Sequence, residues 1–130
     1  MESTVPVLVV DDQAPFRSAA QAVVRRMPGF DVVGEATSGE EAVDMVAALH
    51  PALVLMDINM PGINGVEATR RIVAVAPEVV VILCSTYTPE DLPPDASTSG
   101  ALAYVNKEEL GPAGLERIWS ERETIGFLAL

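Results

Sequence analysis

Residues 53–65 read LVLMDINMPGING: four apolar residues run up to Asp57, and the chain then drops into a Pro-Gly loop. A short, unbroken apolar run is how a strand buried on both faces reads, and such strands belong to parallel sheets covered by helices. A carboxylate ending such a strand lies where an open α/β sheet gathers its ligands, at the carboxyl edge. The flanking sequence decides whether the sheet exists.

Upstream, VPVLVVDD (residues 5–12) is a second β-branched run, and it too ends on acids, Asp11 and Asp12. In QAPFRSAAQAVVRRMPG, Phe16, Ala20, Val23 and Met27 recur at helical spacing before the Pro28-Gly29 stop. DVVGEA reads as a strand, and SGEEAVDMVAALH as a helix opened by a Ser38 to Glu41 capping box with Ala42, Met45, Val46 and Leu49 on its apolar face. Downstream come a helix in GVEATRRIVAVA, the strands VVVILCS and ALAYV, and a last helix around Leu115, Ile118 and Trp119. Five strands alternating with helices predict a doubly wound α/β fold, because each parallel crossover needs a connecting element and packs back right-handed onto the sheet. Asp11, Asp12, Asp57, Ser85 and, through Val105 and Asn106, Lys107 are then expected at one edge.

Two segments break the pattern. TPEDLPPDASTSG (residues 88–100) stands where a fourth helix is due, and Pro93 and Pro94 cannot both sit inside a regular helix, so a short or irregular element is expected. TIGFLAL (residues 124–130) carries Ile125, Phe127, Leu128 and Leu130, and is expected to dock on the domain or on a partner. The reading is one domain over residues 1–123, an apolar tail over 124–130, and no output domain.

Composition sets the frame. The chain has 130 residues, 49% of them hydrophobic, enough for one domain with a core. No stretch approaches the roughly 18 apolar residues of a membrane span, and MESTVPV lacks the basic flank of a signal peptide, so a soluble, cytoplasmic protein is expected. A formal net charge of -11 with scattered basic residues disfavours direct nucleic-acid binding. Cys84, inside VVVILC, reads as a buried small hydrophobe, His50 as a residue favoured at a helix C-terminus, and Trp119 and the methionines as core or interface.

Three carboxylates gathered at one edge repel one another by about 4 kcal/mol per pair at roughly 4 Å and an effective dielectric of about 20, so they call for a cation. With no Cys or His beside them, magnesium fits better than a transition metal. Lys107 is the only lysine in the chain, and an ammonium there balances the acids at rest and holds a phosphoryl oxygen during transfer. Taken singly, each group is ordinary. Asp12 reads as a helix cap, Asp57 as a turn residue, Ser85 as a strand-end hydroxyl, Tyr104 as sheet packing and Lys107 as a solvated lysine. Their joint placement at strand ends carries the reading.

The segments VLVVDDQ, LVLMDINMPGINGVEATRRI, VVVILCSTY and GALAYVNKEEL together resemble the receiver domain of bacterial two-component response regulators, over residues 5 to about 123. The resemblance implies a flavodoxin-like five-stranded sheet of order 2-1-3-4-5. It implies that Asp57 accepts a phosphoryl group from a histidine kinase or phosphotransfer protein, that Asp12, Asp57 and the backbone carbonyl of Asn59 ligate Mg directly, and that Asp11 acts largely through water. Lys107 and Ser85 then hold phosphoryl oxygens, and Ser85 with Tyr104 forms a switch read by a downstream protein, with a homodimer open as an assembly. On this reading the chain is a signalling switch that assists its own phosphorylation and dephosphorylation, not an enzyme. Ser85 stands where threonine is commoner, and Glu108 follows Lys107 where many receivers have proline, so a trans peptide is expected there. The irregular fourth helix bears on the dimer face that the resemblance implies, made from the fourth and fifth helices and the fifth strand. Two other readings stay open: a receiver-like interaction module that takes no phosphate, and an aspartyl-phosphate Mg phosphatase, against which Asn59 stands where a second acid belongs.

Overall fold

In the computed structural model, which describes residues 4–129, the apolar runs become the strands β1 (Val5–Val10), β2 (Phe30–Ala36), β3 (Leu53–Asp57), β4 (Val80–Ser85) and β5 (Ala103–Asn106). Helices α1 (Ala14–Arg25), α2 (Gly39–Leu49), α3 (Gly65–Val75) and α4 (Pro112–Ser120) connect or follow them. All pairings are parallel and the order is β2-β1-β3-β4-β5, the expected one, extended by a short sixth strand, β6 (Leu128–Ala129), beside β5.

Alternation along the central strands builds two cores. Leu8, Val10, Val54, Met56, Val81 and Leu83 face α2 and α3, where Ala42, Val46, Val66, Ala68 and Ile72 meet them. Val7, Val9, Leu53, Leu55, Ile82 and Cys84 face the other way, onto Ala20, Val24, Leu115 and Ile118 of α1 and α4. Every residue of β3 is buried, which is why its sequence carries no polar residue before Asp57.

The helix ends follow local chemistry, with some shifts from expectation. Ser38 Oγ accepts from the Glu41 amide at 3.1 Å, and Glu41 reaches back to the Thr37 amide at 2.8 Å, one residue before the expected partner of a capping box. On α1, Val24 is buried while Val23 is only partly covered, and the buried Met27 lies past the helix end. Leu49 is 40% exposed, so the apolar face of α2 ends at Val46. His50 closes α2 in a left-handed conformation, φ 50°, its amide donating to the Val46 carbonyl at 3.0 Å.

Between β4 and β5 there is no α-helix. Two 3-10 segments, Pro89–Asp91 and Pro94–Thr98, take its place, split where Pro93 and Pro94 remove donors and fix φ. Ala96 anchors the segment in the core, and Ser99 Oγ donates to the Ala96 carbonyl at 2.7 Å. The expected five strands are six because the tail docks on the domain: Leu128 pairs with Ala103 and Ala129 with Tyr104. Phe127 and Ala129 pack on the α2/α3 side, Ile125 and Leu128 on the other. Leu130, also expected in the docking tail, lies outside the described residues. No cis peptide occurs among the described residues, including at Glu108.

Candidate functional site

Asp11 follows β1 directly, its amide donating to the Ala36 carbonyl of β2 at 3.0 Å, which brings the end of the strand to the carboxyl edge. Its carboxylate is fully buried and both oxygens are engaged: Oδ1 accepts from the Gln13 amide at 2.8 Å, and Oδ2 from Lys107 Nζ at 2.7 Å. Arg17 clasps the Asp11 carbonyl at 2.8 Å while pairing with Glu35 at 3.1 Å, fixing the turn between β1 and α1. Asp57, 4% exposed, ends β3 with Oδ1 at 3.3 Å from Lys107 Nζ. Asp12 is exposed beside them, and ligand oxygens of Asp11, Asp12 and Asp57 all lie within 4.8 Å of one another.

This crowding shows in the titration of the groups. Burial, then the neighbouring Asp11 charge, pushes Asp57 up from 3.8 to about 6, against the pull of Lys107. A pKa near 6 leaves Asp57 mostly a carboxylate at pH 7. For Lys107 burial acts downward, but the Asp11 hydrogen bond and the Asp57 and Asp11 charges outweigh it, and its pKa is raised. The Phe16 ring centroid lies 4.1 Å from Lys107 Nζ.

A cleft of about 170 Å³ opens over Asp57, lined by Gln13, Asn59, Ser85, Thr86 and Lys107. Its floor is set by the loop after β3. Ile58 donates to the Cys84 carbonyl at 3.2 Å, and Glu40 at the start of α2 accepts from the Ile63 amide at 3.2 Å. Gly62 takes φ 81°, and Gly65 lets α3 begin against the end of β3, where a Cβ would overlap the Asp57 carbonyl. A larger, mostly apolar groove of about 490 Å³ lies between the segment after β4 and the start of α4; its lining holds Glu108 and Glu109, whereas the smaller cleft pairs Asp57 with Lys107.

The structure brings Asp11, Asp12, Asp57, Ser85, Lys107 and Asn59 together. Tyr104 is not among them: it is fully buried and outside the cleft lining, with its phenol raised to about 12 chiefly by burial. A chain of hydrogen bonds joins it to the cleft. Asn59 Nδ2 donates to Ser85 Oγ at 3.3 Å, Tyr87 OH to Asn59 Oδ1 at 3.1 Å, and the Tyr87 carbonyl accepts from Tyr104 OH at 2.8 Å and Asn106 Nδ2 at 2.9 Å. Sequence reasoning missed Gln13, Thr86 and Glu40 as site neighbours, and placed Phe16 only on a helix face. For Gln13 the signal was available, since its amide follows the acidic pair directly; Glu40 contacts a loop 23 residues away and left none.

A family model described as "Response regulator receiver domain" matches residues 7–118. The chain is 35% identical over 117 residues to the transcriptional regulatory protein DegU of Brevibacillus brevis, covering 90% of this chain and 50% of that protein. It is 35% identical over 114 residues to the response regulator GacA of Pseudomonas aeruginosa, covering 88% of this chain and 51% of that protein. The chain therefore spans about half the length of the curated relatives it matches. Among solved structures, the response regulator domain of Thermotoga maritima CheB superposes with a TM-score of 0.82 at 32% identity, covering 94% of this chain and 98% of that one. A two-component response regulator of the LuxR family from Aurantimonas sp. SI85-9A1 gives 0.83 at 29% identity, covering 96% and 89%.

Proposed function

The chain belongs to the response regulator receiver domain family, and on that premise we propose that it is a phosphorylation switch in which Asp57 takes a phosphoryl group from a histidine kinase or phosphotransfer protein. One observation carries the proposal: a buried carboxylate, 3.3 Å from the only lysine of the chain, opens on a cleft that also holds the Ser85 hydroxyl. An Asp57 oxygen attacks phosphorus and forms the new O–P bond. The P–N bond of the donor phosphohistidine, or the P–O bond of a small acyl phosphate, breaks with its electron pair leaving on the departing group. The attacking group is already ionised at neutral pH, so no general base is needed. Lys107 stays near the developing charge, and positioning with charge stabilisation does most of the catalytic work in such transfers.

The donor set fits Mg: carboxylate oxygens gathered within 4.8 Å, with no thiolate or imidazole among them. In this proposal Asp12, Asp57 and the Asn59 backbone carbonyl hold the ion. Asp11 acts through water, in keeping with both its oxygens being engaged by Gln13 and Lys107. Bound there, Mg supplies neutralisation of the acids and of phosphoryl oxygens.

A phosphoryl group adds about -1.5 to -2 charge, and the Ser85 hydroxyl, which only accepts from Asn59, keeps its own proton to donate toward it. Drawing Ser85 away from Asn59 loosens the Asn59–Tyr87–Tyr104 chain and with it the segment between β4 and β5. This links the site to a surface that a downstream protein reads. The chain is a switch that assists its own phosphorylation, not a multiple-turnover enzyme. We take residues 1–123 as the receiver and the following segment as its tail, which docks through Ile125, Phe127, Leu128 and Ala129. The acidic charge favours protein partners over nucleic acid for this domain.

Intact-protein mass after incubation with acetyl phosphate and Mg tests the proposal, alongside Asp57→Ala and a chelated sample. A single phosphoryl adduct, lost in both controls, is expected. A folded protein that takes no phosphoryl group from either acetyl phosphate or a panel of histidine kinases would leave the interaction-module reading in its place.

A further inference from the structure

The Lys107 ammonium makes three close contacts. Two are acids, Asp11 at 2.7 Å and Asp57 at 3.3 Å, and the third is the Phe16 ring, 4.1 Å from the ammonium to the ring centroid. The Lys107 side chain is 15% exposed, so little of it is left to water. Phe16 sits in the first turn of α1, four residues after Asp12, and is partly buried against the α1/α4 core.

We infer that Phe16 is a positioning residue for phosphoryl transfer: its ring face holds the Lys107 ammonium over Asp57. This rests on the phosphoacceptor reading above. The physical reason is a difference between partners. A lysine is a point charge on a flexible four-carbon stem, and its hydrogens go to whichever acceptors are nearest. A water or a further carboxylate at the third contact would compete with the incoming phosphoryl oxygen for those hydrogens. A ring face attracts the charge through its quadrupole without offering a lone pair, so it restrains the stem and leaves the N–H donors for oxygen.

Because Lys107 is the only lysine, protein labelled with ¹³C,¹⁵N-lysine gives one side-chain signal, which reads the contact directly. In the wild type its ε-protons are expected to be shifted upfield by the ring, and Phe16→Leu to remove that shift. Phosphorylation of the same full chain by acetyl phosphate and Mg, followed by intact mass, is expected to slow about three- to tenfold in Phe16→Leu and to recover in Phe16→Tyr, which keeps the ring face. Val23→Ala on the same helix serves as the packing control: it is expected to lower stability while leaving the lysine signal and the rate unchanged. The inference is overturned by a wild-type lysine signal without a ring shift, by a Phe16→Leu rate equal to wild type, by failure of Phe16→Tyr to recover, or by equal slowing in Val23→Ala. A wild type that takes no phosphoryl group at all overturns the parent reading as well, whereas a phosphorylated wild type with an indifferent Phe16→Leu overturns this one alone.

Discussion

The two halves of the sheet are built differently. From β1 to α3 each strand is followed by an α-helix, α2 and α3 capped by the side chains of Ser38 and Asn64, and this half supplies Asp11, Asp12 and Asp57. Between β4 and β5 the helix gives way to 3-10 segments, the β5 edge is covered by a two-residue strand, and this half supplies Ser85, Tyr104 and Lys107. Fixed acids face a more loosely framed set of responders. The difference fits a division of labour: charge repulsion requires a rigid frame to hold it, while a switch requires a segment whose arrangement changes at small cost.

The comparison breaks most visibly at Gly65. Gly65→Val is expected to destabilise by about 3 kcal/mol or more in urea unfolding, because the added side chain meets the Asp57 carbonyl of the rigid half with no room to relax. Insensitivity there would mean that the frame around the acids yields as readily as the other half.

The next effect is electrostatic. The folded-state pKa of Asp57, about 6, lies above its ordinary 3.8, so the fold holds the Asp57 proton more tightly than the unfolded chain does. The stability this contributes is complete below pH 3.8 and is lost as pH rises toward 6. In the absence of Mg, Asp57→Asn should therefore be more stable than wild type at pH 7.5 by up to about 3 kcal/mol, with the gap closing between pH 6 and 4. Thermal melts across that range check it. Adding Mg should stabilise wild type more than the variant.

Truncation after Glu123 gives the smallest change. Removing half-buried Ile125, Phe127 and Leu128 should lower stability by about 1–2 kcal/mol, with faster hydrogen exchange confined to β5 and the segment after β4. Exchange spreading into β1 and β3 would show that the two halves share one cooperative unit.

Most of the rigid half was legible in the sequence because its signals are local: apolar runs for β1 and β3, a Ser38 cap, and acids standing where strands end. The split at Pro93 and Pro94 was legible for the same reason. What escaped was non-local or too short. A two-residue strand has no periodicity to detect, and the Phe16 ring reaches Lys107 across 91 positions of chain. The link from Tyr104 to the cleft runs through a backbone carbonyl, that of Tyr87, which every residue possesses and no sequence marks. Leu49 matched the helical period and still stands 40% exposed, because periodicity gives a direction and not the extent of what covers it.

The seating of Ala129 opposite Tyr104 has a use in instrumentation. Adjacent strands lie about 4.8 Å apart, so a fluorophore or spin label at residue 129 sits one strand away from the tyrosine and on the far side of it from the acids. The native thiol does not interfere: Cys84 is buried and pushed to about 12, inert to ordinary labelling. An Ala129→Cys chain puts a second, only partly buried thiol at that edge, where an attached reporter is expected to follow the domain's state.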